Sequence, residues 1–233
     1  MSKTILITGT SRGIGQYLAK YYTSHGNIVI GCSRTESEYK DKNYNHNHIK
    51  CDITNEKNVK SLLRDIKKIY SGLDILINNA GVASMNHSLL TNTSTVRKIF
   101  EVNFVSTFLF CREAAKLMQI KKFGRIVNFS TVAVPLSIEG ESIYASSKSA
   151  VNTLTKILSK EFGKFGITVN LIGPTPIKTD LIRSVPENKL NKLIKTQSIK
   201  RYGNFRDVSN VIDFFINEKS DFITGQKIYL GGI

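Results

Sequence analysis

The chain has 233 residues, 41% apolar and 22% charged, an ordinary globular balance that excludes a disordered polymer. Its 33 Lys and Arg exceed its 18 Asp and Glu by 15, yet the basic residues are spread singly and in pairs such as Lys67-Lys68 and Lys121-Lys122. That spread fits a solvated surface better than a polyanion-binding face, so no nucleic-acid partner is expected. No apolar run reaches the ~20 residues of a membrane span. The first residues enter a short apolar run without the longer stretch and cleavage site of a signal peptide. Cys32, Cys51 and Cys111 are scattered and odd in number. A cytoplasmic protein with reduced thiols and no metal site is the expectation.

In chain order, Ile5-Leu6-Ile7 predicts a first strand, followed by a glycine loop and a helix from Ile14 to His25. Ile28 to Cys32 predicts a second strand and Ile49 to Asp52 a third, with His46-Asn47-His48 in the polar stretch between them. Val59, Leu62, Leu63, Ile66 and Ile69 recur at helical spacing within a helix from Asn55 to Tyr70. A fourth strand is expected at Asp74 to Ile77, one long helix at Thr95 to Ile120, and a fifth strand at Arg125 to Phe129. Then come a helix from Tyr144 to Phe165, a sixth strand at Ile167 to Ile172, a helix from Val208 to Ile216 and a last strand at Lys227 to Leu230. Strand and helix alternate, and the strands are short and apolar without alternation. This predicts one α/β domain over 1–233: a Rossmann-type, doubly wound, parallel seven-stranded sheet with helices on both faces. Residues 178–202 carry weaker signals and read as an insertion, a candidate substrate lid.

The first strand runs into Thr8-Gly9-Thr10-Ser11-Arg12-Gly13-Ile14-Gly15. Glycines there permit a tight turn and bring bare backbone to a phosphate, which the N–H groups of the next helix would face. The spacing is G-x-x-x-G-x-G, not the G-x-G-x-x-G of the usual dinucleotide fingerprint. Gly9 to Gly13 also satisfies G-x-S-x-G, a hydrolase nucleophile motif, but the histidines are His25, His46, His48 and His87, and none lies near the C-terminal end, where that motif's base is expected. The second strand ends Ser33-Arg34-Thr35, with no carboxylate until Glu36. Arg34, with Arg12 from the glycine loop, suits a 2′-phosphate, so NADP(H) is favoured over NAD(H). Tyr144 and Lys148 lie four apart, on one helix face. A nearby ammonium would lower the tyrosine pKa from ~10 and prepare it for proton exchange with a carbonyl or alcohol oxygen.

Together these stretches resemble the short-chain dehydrogenase/reductase family over nearly the whole chain. The matching motifs are TGTSRGIG (8–15), CDIT (51–54), NNAG (78–81), the helix around Asn103, GRIVNFST (124–131), YASSK (144–148), residues 170–180 and ITGQKIYLGG (223–232). The resemblance implies that Gly9, Ser11, Arg12, Gly13, Ile14 and Gly15 cradle the cofactor. It places Asp52 and the Ile53 backbone at the adenine, and Asn79, Ala80 and Gly81 along the cofactor. Ile177 and Thr179 fall where the family contacts the carboxamide and phosphate. It makes Tyr144 the catalytic acid or base, with Lys148 on the nicotinamide ribose and Asn103 holding a relay water.

Three departures stand out. Thirteen residues before Tyr144, where the family has serine, is Thr131, with Ser130 as the alternative hydroxyl. Thr175 stands where the family has glycine, between Pro174 and Pro176, which puts that loop's shape in question. The chain ends at Gly231-Gly232-Ile233 almost without a tail, and a homotetramer is expected, with a dimer as the alternative.

The expected reaction is hydride transfer between NADP(H) and a small carbonyl or secondary alcohol. A 3-oxoacyl thioester on an acyl-carrier protein, docked at Lys121, Lys122 and Arg125, is the first candidate substrate. A sugar or polysaccharide precursor is the second, since Glu139 and Glu141 precede Tyr144 and suit a hydroxylated molecule. A nucleotide-binding regulator with impaired catalysis is the alternative of another class.

Overall fold

In the computed structural model, residues 2–37, 46–183 and 185–233 are described. Seven strands form one sheet: β1 (Thr4–Thr8), β2 (Ile28–Ser33), β3 (His46–Lys50), β4 (Ile75–Asn78), β5 (Gly124–Phe129), β6 (Ile167–Gly173) and β7 (Lys227–Tyr229). Every pairing is parallel, in the order β3-β2-β1-β4-β5-β6-β7. Parallel strands need covered crossovers, which the helices provide: α1 (Gly13–Ser24), α2 (Glu56–Tyr70), α3 (Thr93–Phe100), α4 (Ser106–Lys121), α5 (Ala133–Leu136), α6 (Ser142–Gly163), α7 (Glu187–Thr196) and α8 (Phe205–Ile216).

Alternate strand residues feed two cores. Leu6, Ile30, Leu76 and Ile126 pack with Leu62, Ile66, Phe110 and Met118 from α2 and α4 on one face. Ile5, Ile7, Ile77 and Val127 pack with Leu18, Tyr22, Ile212 and Phe215 from α1 and α8 on the other. Both faces are dry, which is why the strands show unbroken apolar runs instead of alternation.

Two predicted elements differ. The third strand is His46–Lys50, not Ile49–Asp52: His46 pairs with Val29 and His48 with Gly31, so the polar histidines are themselves ladder residues. This strand is at the sheet edge, where burial asks less apolar character of it. The expected single helix from Thr95 to Ile120 is broken into α3, a π-helical stretch at Glu101–Val105, and α4. The wide turn falls on Asn103, whose buried side chain accepts from Val82 N at 2.9 Å and donates to Val82 O at 2.9 Å. Such turns commonly mark functional positions in helices.

The strand order reverses between β1 and β4, on either side of which the chain leaves in opposite directions. A crevice therefore opens at the carboxyl ends of these strands, where open α/β sheets bind their ligands.

Candidate active site

Gly9 leaves β1 with φ +77°, and Gly13 enters α1 with φ +60°, both in the region that side chains rarely adopt. The N-cap of α1, Arg12, makes no side-chain capping bond, so the first-turn N–H groups of this helix are not satisfied by a cap. Across the crevice, Asn79 Nδ2 donates to Thr8 O at 2.9 Å and Gly9 O at 3.2 Å, and Ala80 N donates to Thr8 Oγ1 at 3.0 Å. A Cβ on Gly15 would lie 2.2 Å from Gly9 O and 2.5 Å from Asn79 Nδ2. The glycine spacing is thus imposed by backbone packing against β4, and the resulting cradle fits a dinucleotide pyrophosphate.

His48 completes this end of the crevice, a role its sequence neighbourhood did not announce. Its Nδ1 meets Thr10 Oγ1 at 3.0 Å, and its Nε2 meets Ser33 Oγ at 3.1 Å and Thr35 O at 3.0 Å. The glycine loop is tied to the end of β2 through one imidazole. Beyond it, Arg34 is exposed and its charge acts on Asp52. Asp52 accepts from Thr54 N at 3.0 Å and Thr54 Oγ1 at 2.8 Å, and these bonds hold its carboxyl below the usual range. Ile53 is buried beside it. Arg12 points away from this corner, to Asp180 Oδ2 at 3.2 Å, and is 75% exposed. Arg12 is thus paired with Asp180, while the Arg34 charge acts on Asp52.

Tyr144, Lys148, Asn79, Gly81, Thr131, Ile14, Ile177 and Thr179 line one pocket at the crevice. The Thr131 side chain acts on the Tyr144 phenol, and its Oγ1 accepts from Ala133 N at 3.2 Å. Ser130 Oγ is buried without a partner, and both hydroxyl residues line the pocket. Lys148 Nζ donates to Phe129 O at 3.0 Å. Asn103 Nδ2 also donates to Ser147 Oγ at 3.0 Å, and a Cβ on Gly81 would sit 3.3 Å from both Asn103 Oδ1 and Lys148 Nζ. Gly81 is what lets these two side chains approach one another.

The electrostatics depart from the expected lysine effect. Burial, followed by the Glu141 charge, pushes the Tyr144 phenol up to about 12, against a lowering by the Thr131 side chain. Burial pulls Lys148 down to about 8. Loss of hydration outweighs attraction here, because both groups are removed from water. Tyr144 is therefore protonated at neutral pH.

Residues 178–202 form a cover. Leu181, Ile182, Val185, Lys189, Leu190 and Leu193 face the pocket, the last three from α7. The ends of the cover are pinned: Gly203 N donates to Pro176 O at 3.0 Å, and Ile199 N to Gly231 O at 3.1 Å. Thr175 does not adopt a left-handed backbone; it is buried and its hydroxyl bonds Gln197. A Cβ on Gly203 would come within 2.8 Å of Thr175 Cγ2, so the missing glycine at 175 is answered by one at 203.

Glu141, the N-cap of α6, also lines the pocket, and burial pushes its carboxyl up to about 7 against the attraction of Lys189. A folded pKa above the ordinary carboxylate value gives stability present below about pH 4.5 and lost as pH rises through 7. Glu141→Gln removes that loss. The variant is expected to be more stable than the parent at pH 8 by about 2 kcal/mol, and not at pH 4, less than the whole shift implies because solvent screens part of the group. Thermal melts at the two pH values check it.

Of the expected carrier-docking residues, Arg125 is corrected, while Lys121 and Lys122 are exposed. Arg125 is buried, donating to Gly124 O at 2.9 Å, Gly166 O at 3.4 Å and Glu218 O at 3.3 Å. Lys121 is paired with Asp74 at 3.1 Å. Both lie at the amino end of β5, whereas the pocket opens at its carboxyl end, roughly 20 Å away along a six-residue strand.

A phosphate cradle at the switch point and a tyrosine–lysine pair in the same crevice define a nicotinamide-dependent oxidoreductase. Comparison with known proteins narrows that class: a family model described as enoyl-(acyl carrier protein) reductase matches residues 9–232, and the chain belongs to the short-chain dehydrogenase/reductase family. It is 33% identical over 238 residues to the 3-oxoacyl-[acyl-carrier-protein] reductase FabG of Buchnera aphidicola, covering 99% of this chain and 96% of that one. Among solved structures, ElxO with NADP bound superposes with a TM-score of 0.90 at 29% identity, covering 99% of this chain and 97% of that one. The aldohexose dehydrogenase of Thermoplasma acidophilum superposes with a TM-score of 0.89 at 28% identity, covering 99% and 93%. Among the described residues, no helix is long and apolar enough to cross a membrane.

Proposed function

We propose that the protein reduces a small carbonyl compound with NADPH. The observation that carries this is the buried Tyr144 in the same pocket as Lys148, Thr131 and Gly81. Bound in the cradle of Gly9, Ser11, Gly13, Ile14 and Gly15, the nicotinamide cofactor supplies the hydride. Ala80, Ile177 and Thr179 complete its binding surface, and Asp52 and Ile53 take the adenine end. Tyr144 gives the proton to the carbonyl oxygen, and the Thr131 hydroxyl orients that oxygen. Lys148 is positioned to bond the cofactor ribose through the protons not used on Phe129 O, and Asn103 holds Gly81 and Val82 in place. At neutral pH the phenol carries the proton that carbonyl reduction consumes.

NADPH is preferred in this reading because Arg34 ends β2 where NAD enzymes carry a carboxylate, and because ElxO is a relative seen with NADP. Homo-oligomerisation through α4 and α6, which leave Phe108 and Ile157 exposed, belongs to the same proposal. A 3-oxoacyl thioester is the second substrate reading, favoured by the FabG relatives and by the apolar cover.

Loss of nicotinamide absorbance with a panel of ketones, aldehydes and acetoacetyl thioesters tests the function. Turnover at least tenfold faster with NADPH than NADH is expected, and Arg34→Ala is expected to narrow that margin. No turnover of any carbonyl with either cofactor would sink the enzyme reading and leave the impaired regulator. Turnover of ketones but not thioesters would remove the acyl-carrier substrate.

A further inference from the structure

Glu141 is the one carboxylate in an otherwise mostly apolar chamber. Ile138, Met85, Leu181, Ile182, Leu190 and Leu193 share its walls. Glu141 itself is 8% exposed, and its inner oxygen, Oε2, is buried with no hydrogen-bond partner. A buried carboxyl without a donor is costly, and native structures retain such groups where a ligand or function compensates. Its neighbour Glu139, also close to Tyr144 in sequence, is exposed and lies outside this pocket, so the two carboxylates are not equivalent.

Glu141 is the N-cap of α6, three residues before Tyr144, and both line the pocket. The Glu141 charge is felt by the Tyr144 phenol. A substrate whose carbonyl oxygen meets Tyr144 lies in the pocket that Glu141 also lines. Rotation about the last side-chain bond exchanges the two carboxylate oxygens, so either can face a ligand. Lys189 on α7 also acts on Glu141, and its positive charge would repel a cationic donor. The donor that remains is a neutral hydroxyl.

We propose that Glu141 is the specificity residue: it accepts a hydrogen bond from a hydroxyl on the carbon next to the reacting carbonyl, so the enzyme takes a hydroxylated carbonyl compound before a bare acyl chain. This rests on the reductase reading above.

The test uses the full-length protein and two matched pairs of probes. With NADPH, 2-hydroxycyclohexanone and cyclohexanone are compared as substrates. With the NADPH complex, trans-1,2-cyclohexanediol and cyclohexanol are compared as ligands by thermal shift. At pH 8, above the value of about 7 to which Glu141 is raised, a hydrogen bond to the charged carboxylate predicts about a tenfold or greater preference in kcat/KM for the hydroxylated ketone. In Glu141→Leu that ratio is expected to fall to within about threefold, and in Glu141→Gln, which keeps an acceptor, to an intermediate value. The diol should raise the melting temperature more than cyclohexanol in the parent, and the two shifts should be equal in Glu141→Leu. Should Glu141→Leu not fold, the Gln variant carries the comparison. Equal kcat/KM for both ketones in the parent, or an undiminished ratio in the variants, overturns the Glu141 assignment and leaves the reductase standing. If neither ketone is reduced, the reductase reading fails by itself, and the binding pair still decides: a diol advantage lost in the variants supports Glu141, and its absence overturns it.

Discussion

Tyr144→Phe is expected to lower kcat for carbonyl reduction by about a thousandfold, while NADPH binds within a few-fold of the parent affinity. The phenol is the group placed to give a proton to a substrate oxygen, and general acids contribute roughly 10²–10⁴ to such steps. The loss should fall on kcat and kcat/KM together, since the proton moves only in the transition state. Stability should change little. The phenyl ring still fills the same buried volume. Steady-state kinetics beside a fluorescence titration of NADPH separate these effects. Activity within tenfold of the parent would remove Tyr144 from the proposed chemistry. Because Tyr144 is raised to about 12, parent activity should show no loss of the phenol's proton below pH 9.

Gly15→Ala is expected to be the most damaging single-methyl change in the cofactor cradle. The added Cβ would lie 2.2 Å from Gly9 O and 2.5 Å from Asn79 Nδ2. Neither neighbour is the free end of a flexible chain: one is backbone, and the other is held by bonds to Thr8 O and Gly9 O. The helix must shift from the sheet or the Asn79 bonds must break. Overpacking of this kind costs about 1–3 kcal/mol, and the lost amide bonds add to it. We expect about 3 kcal/mol lower stability in denaturant titrations and at least a tenfold weaker NADPH affinity, about 1.4 kcal/mol. Gly26→Ala is the contrast. Its φ is +78° but no atom lies within 4 Å of the added carbon, so it should lose stability from backbone strain alone and leave NADPH affinity intact. Unchanged cofactor affinity in Gly15→Ala would refute the packing role assigned to this glycine.

Much of the site was legible because the chemistry requires particular residue types at short separations. Gly9, Gly13 and Gly15 follow a strand, and Tyr144 and Lys148 are one helical turn apart; both patterns are local, and both end in one crevice. The errors came where the decisive partner is distant in the chain. The ion pair of Arg12 with Asp180, 168 residues away, at 3.2 Å has no sign in the local sequence. Arg125 reads as a surface charge beside Lys121 and Lys122, yet four backbone carbonyls around β5 and residues 217–218 enclose it. His46 and His48 read as loop because their composition is polar, and an edge strand needs little apolar content to pair.

The sequence by itself determined the parallel α/β architecture, the cofactor turn and the tyrosine–lysine pair, since hydrophobic period and short-range spacing are properties of the chain. That residues of α7 line the pocket holding Tyr144 and Lys148 is a matter of tertiary structure alone. It likewise separated Glu141 from Glu139, placing one carboxylate in a dry wall and the other in solvent. The physical reason is that burial and its effect on charge arise from atoms far apart in sequence, and no local pattern records which of them will meet.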